Sequence, residues 1–306
     1  MKFYILFLVL LPWVSQAVEP VNKLGSTDLF YDKAVNDDYQ IGPEWGKVPV
    51  SEQQMQNTVY ARASGATAKI GGGTSFYLGK FGGVHVMATN HHVCPSGFSC
   101  LGKMAEFTVL KKSYKAVTFI GTWNNIDLSL FTISVPVQDE SLLSTVAENF
   151  AFDLPLYVGQ PIITAGYGIA NNPGRRLMVN QDSECEVYSA DIRYMRDPDD
   201  FNPGPDLVWS FANGCDVSHG DSGSAMVDRN NGKVLGIIWT GRIPKDPIVR
   251  DADYLHRIQA EQSEDIWKQL SYAVPAAKIH EFLNTAYEQE NRDFDRKLIL
   301  KELIGL

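Results

Sequence analysis

From Ala68 onward, short apolar runs alternate with glycine, asparagine and proline breaks. Residues 70, 74–78, 84–87, 107–110, 117–120, 128–135, 162–165, 177–179, 186–188, 207–210, 225–227 and 234–240 read as strands. No long helical patterns intervene between them, so the pattern predicts an all-β barrel or sandwich and not alternating βαβ units. Residues 25–55 are polar and broken by Asp-Asp and Gly-Pro, which predicts an extended lead-in or pro-segment. Residues 242–268 form a long acidic and polar insertion. Pro275 then suits a helix start, and Ile279, Phe282, Leu283 and Ala286 recur at helical spacing, predicting a helix docked on the barrel. Beyond Glu288 charges are dense, and this end is expected to be solvated or to meet a partner.

The first residues change the picture of where the protein works. Met1-Lys2 gives a positive start, residues 3–11 are apolar, and Ser15-Gln16-Ala17 supplies small residues for cleavage. The run is too short to span a bilayer, which takes about 20 apolar residues. A signal peptide over residues 1–17 is expected, followed by a soluble, secreted or periplasmic chain with no membrane partner. Four cysteines in an exported chain read as two disulfides. Three pairings are open; Cys94–Cys100 with Cys185–Cys215 closes two separate local loops and is the expected one. No Cys-x-x-Cys or Cys/His spacing suits zinc, so no metal is expected. The net charge of -9 argues against a nucleic-acid partner, because phosphate binding needs clustered Lys and Arg.

Three short stretches carry candidate chemistry. Ser222 lies in His219-Gly220-Asp221-Ser222-Gly223-Ser224, a glycine-rich turn able to direct the Gly220 and Ser222 N–H groups to one side. A serine hydroxyl needs an imidazole base, a carboxylate to orient that base, and donors for the developing oxyanion. Two histidines follow an apolar strand in Thr89-Asn90-His91-His92-Val93, and Asp127 opens the strand Leu128-Ser129-Leu130-Phe131. Taken singly, each stretch is more simply a turn serine, a structural histidine or a capping aspartate.

Together and in this order, Thr-Asn-His-His-Val, Asp-Leu-Ser-Leu and Gly-Asp-Ser-Gly-Ser resemble the three catalytic blocks of chymotrypsin-like serine peptidases. His92 and Asp127 lie 35 residues apart, and Asp127 and Ser222 lie 95 apart, room for each of two barrels. Gly72-Gly73-Thr74-Ser75-Phe76, Ala165-Gly166-Tyr167-Gly168, residues 236–241 and Tyr272-Ala273-Val274-Pro275 resemble further family segments. The resemblance covers residues 58–286 and implies two six-stranded antiparallel β-barrels with a C-terminal α-helix. Residues 18–57 then form the lead-in and 287–306 a charged helical tail. It makes His92 the general base, with His91 a spacer. Asp127 orients His92, Ser222 is the nucleophile, and Gly220 and Ser222 N–H groups form the oxyanion hole. The implied function is an exported serine endopeptidase acting on polypeptides, with no cofactor.

For specificity, the resemblance puts Asp216 at the base of the substrate pocket, implying Arg or Lys at P1, with Trp239, Thr240 and Gly241 on the substrate-binding strand. That strand departs from the trypsin Ser-Trp-Gly pattern. Arg242 follows directly, and acceptance of an acidic P1 side chain, as in glutamyl-endopeptidase-like members, is the alternative. Asp221 precedes the nucleophile where trypsins pair an aspartate with a newly cut N-terminus, hinting at maturation by cleavage, although no clear activation sequence appears. An α/β-hydrolase would need Gly-x-Ser-x-Gly, but the stretch ends in Ser224; His256 and His280 do follow Ser222, so chain order alone leaves that rival standing. A protease-like binding protein without activity is the second rival.

Overall fold

The computed structural model describes residues 36–180, 182–204 and 206–306. The expected signal peptide lies outside the described residues. Strands β2 (Thr67–Ile70), β3 (Gly73–Phe81), β4 (Val84–Thr89), β5 (Met104–Phe107), β6 (Lys112–Trp123) and β7 (Leu128–Ile133) close into an antiparallel barrel in the order β2-β3-β4-β7-β6-β5. Closure comes from β2 meeting β5, with Lys69 opposite Glu106 and Ile70 opposite Ala105. Alternation explains which faces turn inward: in β5, Ala105 and Phe107 are buried while Met104 and Glu106 are exposed. The run 107–110 is shifted from its expectation. Phe107 ends β5, and Thr108–Lys111 make the hairpin turn with Lys111 in the left-handed region.

The second layer is an eight-stranded antiparallel sheet: β1 (Lys47–Pro49), β9 (Met178–Asn180), β8 (Ile162–Gly166), β12 (Ala225–Asp228), β13 (Val234–Gly241), β14 (Ser271–Pro275), β11 (Leu207–Asn213) and β10 (Val187–Arg196), in that order. Two six-stranded barrels were expected. Here the start of β8 and the start of β10 are joined by the Pro161–Glu186 bridge and by the N–H groups of Gly159, Ile162 and Val187, which donate to Val187 O, Cys185 O and Gln160 O. The extra strand β1 comes from the described part of the lead-in, residues 36–57, which is docked. Tyr39, Ile41 and Lys47 are buried, and β1 pairs with β9 through Lys47 and Asn180. Cysteines pair as Cys94–Cys100 and Cys185–Cys215.

Helices fill what the strands leave. Helix α1 (Thr58–Ala66) is capped by Asn57, whose side chain accepts from the N–H groups of Val59 and Tyr60. The 242–268 insertion folds in part as α2 (Ala252–Ala260), capped by Asp251, with Tyr254, Leu255 and Ile258 buried. Helix α3 (Ala276–Gln289) follows β14 as expected, burying Ile279 and Leu283. The charged tail is neither solvated nor free. Asp293 caps α4 (Phe294–Leu303), which buries Ile299, Leu300 and Leu303 and packs on β3, where Glu302 Oε2 accepts from Gly82 N–H at 2.5 Å. Ile299, Leu300 and Leu303 turn to the buried side, while Phe294 is left exposed. No helix among the described residues is long and apolar enough to cross a membrane.

Candidate active site

The loop after β4 turns back on itself, with Cys94 N–H donating to Asn90 O, and leaves His92 half-exposed. His92 Nδ1 lies 2.7 Å from Asp127 Oδ2, and the His92 N–H donates to Oδ1 at 3.0 Å. Asp127 ends a turn of 3₁₀ helix in a left-handed conformation, φ 35°. Such a conformation is costly for a residue with a Cβ and persists where surrounding bonds hold it. Asn90 Nδ2 donates to Asp127 O at 2.8 Å and supplies that restraint. The neighbouring His91 faces away, its Nδ1 2.6 Å from Thr122 Oγ1. Geometry thus assigns the carboxylate to His92.

His92 is shifted upward from the ordinary histidine range. Desolvation works against its charged form. The charge and hydrogen bond of Asp127, with a further push from Asp197, outweigh it.

The Ser222 loop is bound to the first barrel at several points. Thr74 N–H donates to Ser222 O at 2.9 Å, and Thr74 Oγ1 donates to Gly220 O at 2.7 Å. The same Oγ1 accepts from Tyr167 N–H at 3.1 Å, so one hydroxyl joins the Ser222 loop to β3 and to the turn after β8. Gly223 has φ +91°, and a Cβ there would lie 2.1 Å from Thr74 O, so a glycine is required by conformation and by space. The His219 carbonyl accepts from Ile169 N–H at 2.9 Å, turning that peptide's oxygen toward residue 169. Among the described residues, neither Gly220 N–H nor Ser222 N–H has a protein acceptor. No His92–Ser222 side-chain hydrogen bond is formed, although both side chains line one cavity of about 310 Å³. Such bonds are commonly long without substrate and tighten in the reacting complex.

Trp239, Thr240 and Gly241 line the same cavity, with Asp127 at its back. Asp216 does not. It is fully buried, accepting from Ile41 N–H at 2.7 Å and Gly46 N–H at 2.8 Å. The docked lead-in covers this carboxylate, which no reading of residues 215–222 alone reveals. Burial raises its pKa against the pull of those bonds and of Lys47 and Lys245. Arg242 pairs with Asp200 at 2.7 Å and not with Asp216. The carboxylates that face the cavity are Asp197, Asp199 and Asp206. Thr240 Oγ1 donates to Asp197 Oδ1 at 2.5 Å, and Asp199 Oδ2 lies 2.7 Å from His219 Nε2. Sequence reasoning missed these acids, because the long β10–β11 excursion carrying Asp197 to Asp206 reads only as a polar loop. It also missed Thr74 and Lys47; the latter forms a buried ion pair with Asp221.

A family model described as a trypsin-like peptidase domain matches residues 73–237, more than half of the chain. The chain belongs to the trypsin-like peptidase domain family. As a member it is a serine protease, a hydrolase acting on polypeptides. Among solved structures, it is similar to Rv3671c from M. tuberculosis H37Rv, a serine-to-alanine mutant in the inactive form. Identity is 18%, coverage is 80% of this chain and 98% of that one, and the TM-score is 0.52. An HtrA-type protease, AlgW, with a tripeptide, matches at 13% identity over 76% of this chain and 63% of that chain, TM-score 0.47. At 18% identity, the likeness to Rv3671c is one of fold. No curated protein matches the chain. The family's two-layer β fold agrees with the closed barrel and the second sheet seen here.

Proposed function

We propose that the chain is an exported serine endopeptidase that cleaves peptide bonds through an acyl-enzyme on Ser222. The observation that carries the reading is the His92–Asp127 pair and Ser222 on one cavity, with the Gly220 and Ser222 N–H groups unclaimed by protein acceptors. Asp127 holds Nδ1, so His92 presents Nε2 to the serine. In attack, Ser222 Oγ bonds to the scissile carbonyl carbon and its proton passes to His92 Nε2. The carbonyl electrons move onto oxygen, which the two N–H groups stabilise. Collapse expels the amine, which takes the proton from His92. Water then enters by the same route in reverse and frees the acid.

A basic P1 side chain remains the proposed preference, supported by a different set of carboxylates from the one expected. Asp197, Asp199 and Asp206 give the cleft a negative lining, while Arg242 is engaged by Asp200. An acidic P1 residue would meet like charge. The two disulfides and the charged, then apolar, N-terminus support export to an oxidising space, secreted or periplasmic.

A fluorophosphonate probe tests the reaction: the processed chain is expected to label, and Ser222→Ala to remain unlabelled. A folded wild-type chain that fails to label would refute the proposal. A peptide-library profile tests specificity, and cleavage after Glu or Asp would refute the basic preference.

A further inference from the structure

Asp221 sits between the two residues that offer oxyanion donors, so whatever holds its carboxylate also holds Gly220 and Ser222. Its Oδ1 accepts from Gly168 N–H at 2.9 Å. Its Oδ2 accepts from Ser218 N–H at 2.9 Å and Ser218 Oγ at 3.1 Å. The approach is close enough that a Cβ on Gly168 would lie 2.2 Å from Oδ2. These bonds orient the carboxylate but do not balance its charge. The balance comes from Lys47, whose ammonium hydrogen-bonds Oδ2. The two side chains are 2% and 3% exposed. Among the described residues Lys47 Nζ has no other hydrogen-bond partner. Its backbone is fixed independently, because Lys47 opens β1 opposite Asn180 of β9.

Without its counter-charge, a carboxylate this deep must protonate or turn toward water. Either change alters the bonds to Gly168 and Ser218 and lets the 220–222 backbone rotate. We propose that Lys47 is a positioning residue: through Asp221 it holds the oxyanion donors in place in the uncleaved chain, so activity requires no newly cut N-terminus. This rests on the peptidase reading above. The lead-in is then a working part of the enzyme, and proteolysis that removes Lys47 inactivates, the opposite sign from activation by cleavage.

The test compares full-length wild type, Lys47→Met and the Lys47→Met/Asp221→Asn pair. Each is checked for folding by near-UV circular dichroism. Each is assayed on a peptide taken from the best casein cleavage site, and against a peptide boronate bearing the same P1 residue. Loss of an oxyanion donor typically lowers kcat by about 10²-fold or more. Folded Lys47→Met is expected to lose about that factor in kcat and in boronate affinity, because the boronate mimics the tetrahedral state, with KM changed less than about threefold. The double variant, which removes the uncompensated charge, is expected to regain at least about tenfold over Lys47→Met while staying below wild type. If Lys47→Met does not fold, the double variant decides: a kcat at least about tenfold below wild type supports the proposal. Wild-type kcat in either folded variant, equal losses in boronate and substrate binding, or wild-type activity appearing only after cleavage beyond Lys47 would overturn it. An inactive wild type would instead count against the peptidase reading itself.

Discussion

Replacing Thr74 with valine removes one hydroxyl and keeps the shape of the side chain. Thr74 is fully buried, and its Oγ1 both donates to Gly220 O at 2.7 Å and accepts from Tyr167 N–H at 3.1 Å. Each buried backbone group left without a partner costs about 1–3 kcal/mol. Two such groups set an upper range of about 2–6 kcal/mol, and the added methyl returns about 0.8 kcal/mol. A net loss of about 2–4 kcal/mol in unfolding free energy is therefore expected. It should be read from the urea midpoint with an unchanged slope, so that the change is one of stability and not of compactness. The same hydroxyl restrains Gly220, one of the two proposed oxyanion donors, so kcat should fall by about tenfold or more with little change in KM. Thr74→Ser keeps the hydroxyl and loses only the methyl; it should retain kcat and cost about 1 kcal/mol. A valine variant within 0.5 kcal/mol of wild type (roughly the scatter of surface substitutions) and with wild-type kcat would refute the idea that Thr74 couples the first barrel to the nucleophile loop.

Two further results follow from the same geometry. In the proposed mechanism His92 must be neutral to accept the serine proton, so its raised pKa is expected to place the acid limb of kcat/KM above the ordinary histidine value of about 6.5. Asp127→Asn should lower that limb and cut kcat by several orders of magnitude; a limb that stays put would show that Asp127 does not set it. The sign for stability is opposite: the charged His92–Asp127 pair contributes below the unfolded histidine pKa, and that contribution is lost as pH rises through the folded one. Truncation after Glu290 removes α4 and with it the buried Ile299, Leu300 and Leu303. At about 1.5–3 kcal/mol for each buried side chain, the gross loss is several kcal/mol before the entropy released by the freed tail. A large drop in thermal midpoint is expected, and an unchanged midpoint would show the docking to be energetically idle.

Local pattern was a good guide wherever the physics is local. Strand alternation, glycine turns and the helix after Pro275 follow from backbone sterics and the burial of one face, which act over a few residues. The proposed triad was put forward from sequence for a different reason: Ser222, His92 and Asp127 each sit in a short segment whose residue types suit that chemistry. The cysteine pairs were legible because each closes its own separate local loop. The tail after Glu288 misled because its many charges masked Ile299, Leu300 and Leu303, which become core only where α4 packs on β3.

Asp216 and Lys47 mark where sequence alone stops. The residue types and their order pointed to a family with a serine nucleophile and suggested which residues would serve, because such groups must have particular chemistry whatever surrounds them. What each remaining charge does depended on which distant segment came to lie against it. The lead-in carries Ile41 and Gly46 over Asp216 and Lys47 onto Asp221, across 170 to 175 residues of chain. Electrostatics in a low-dielectric interior acts through space and not along sequence, so only the tertiary structure decided that Asp216 is sealed behind the cleft and that Asp221 already has its cation.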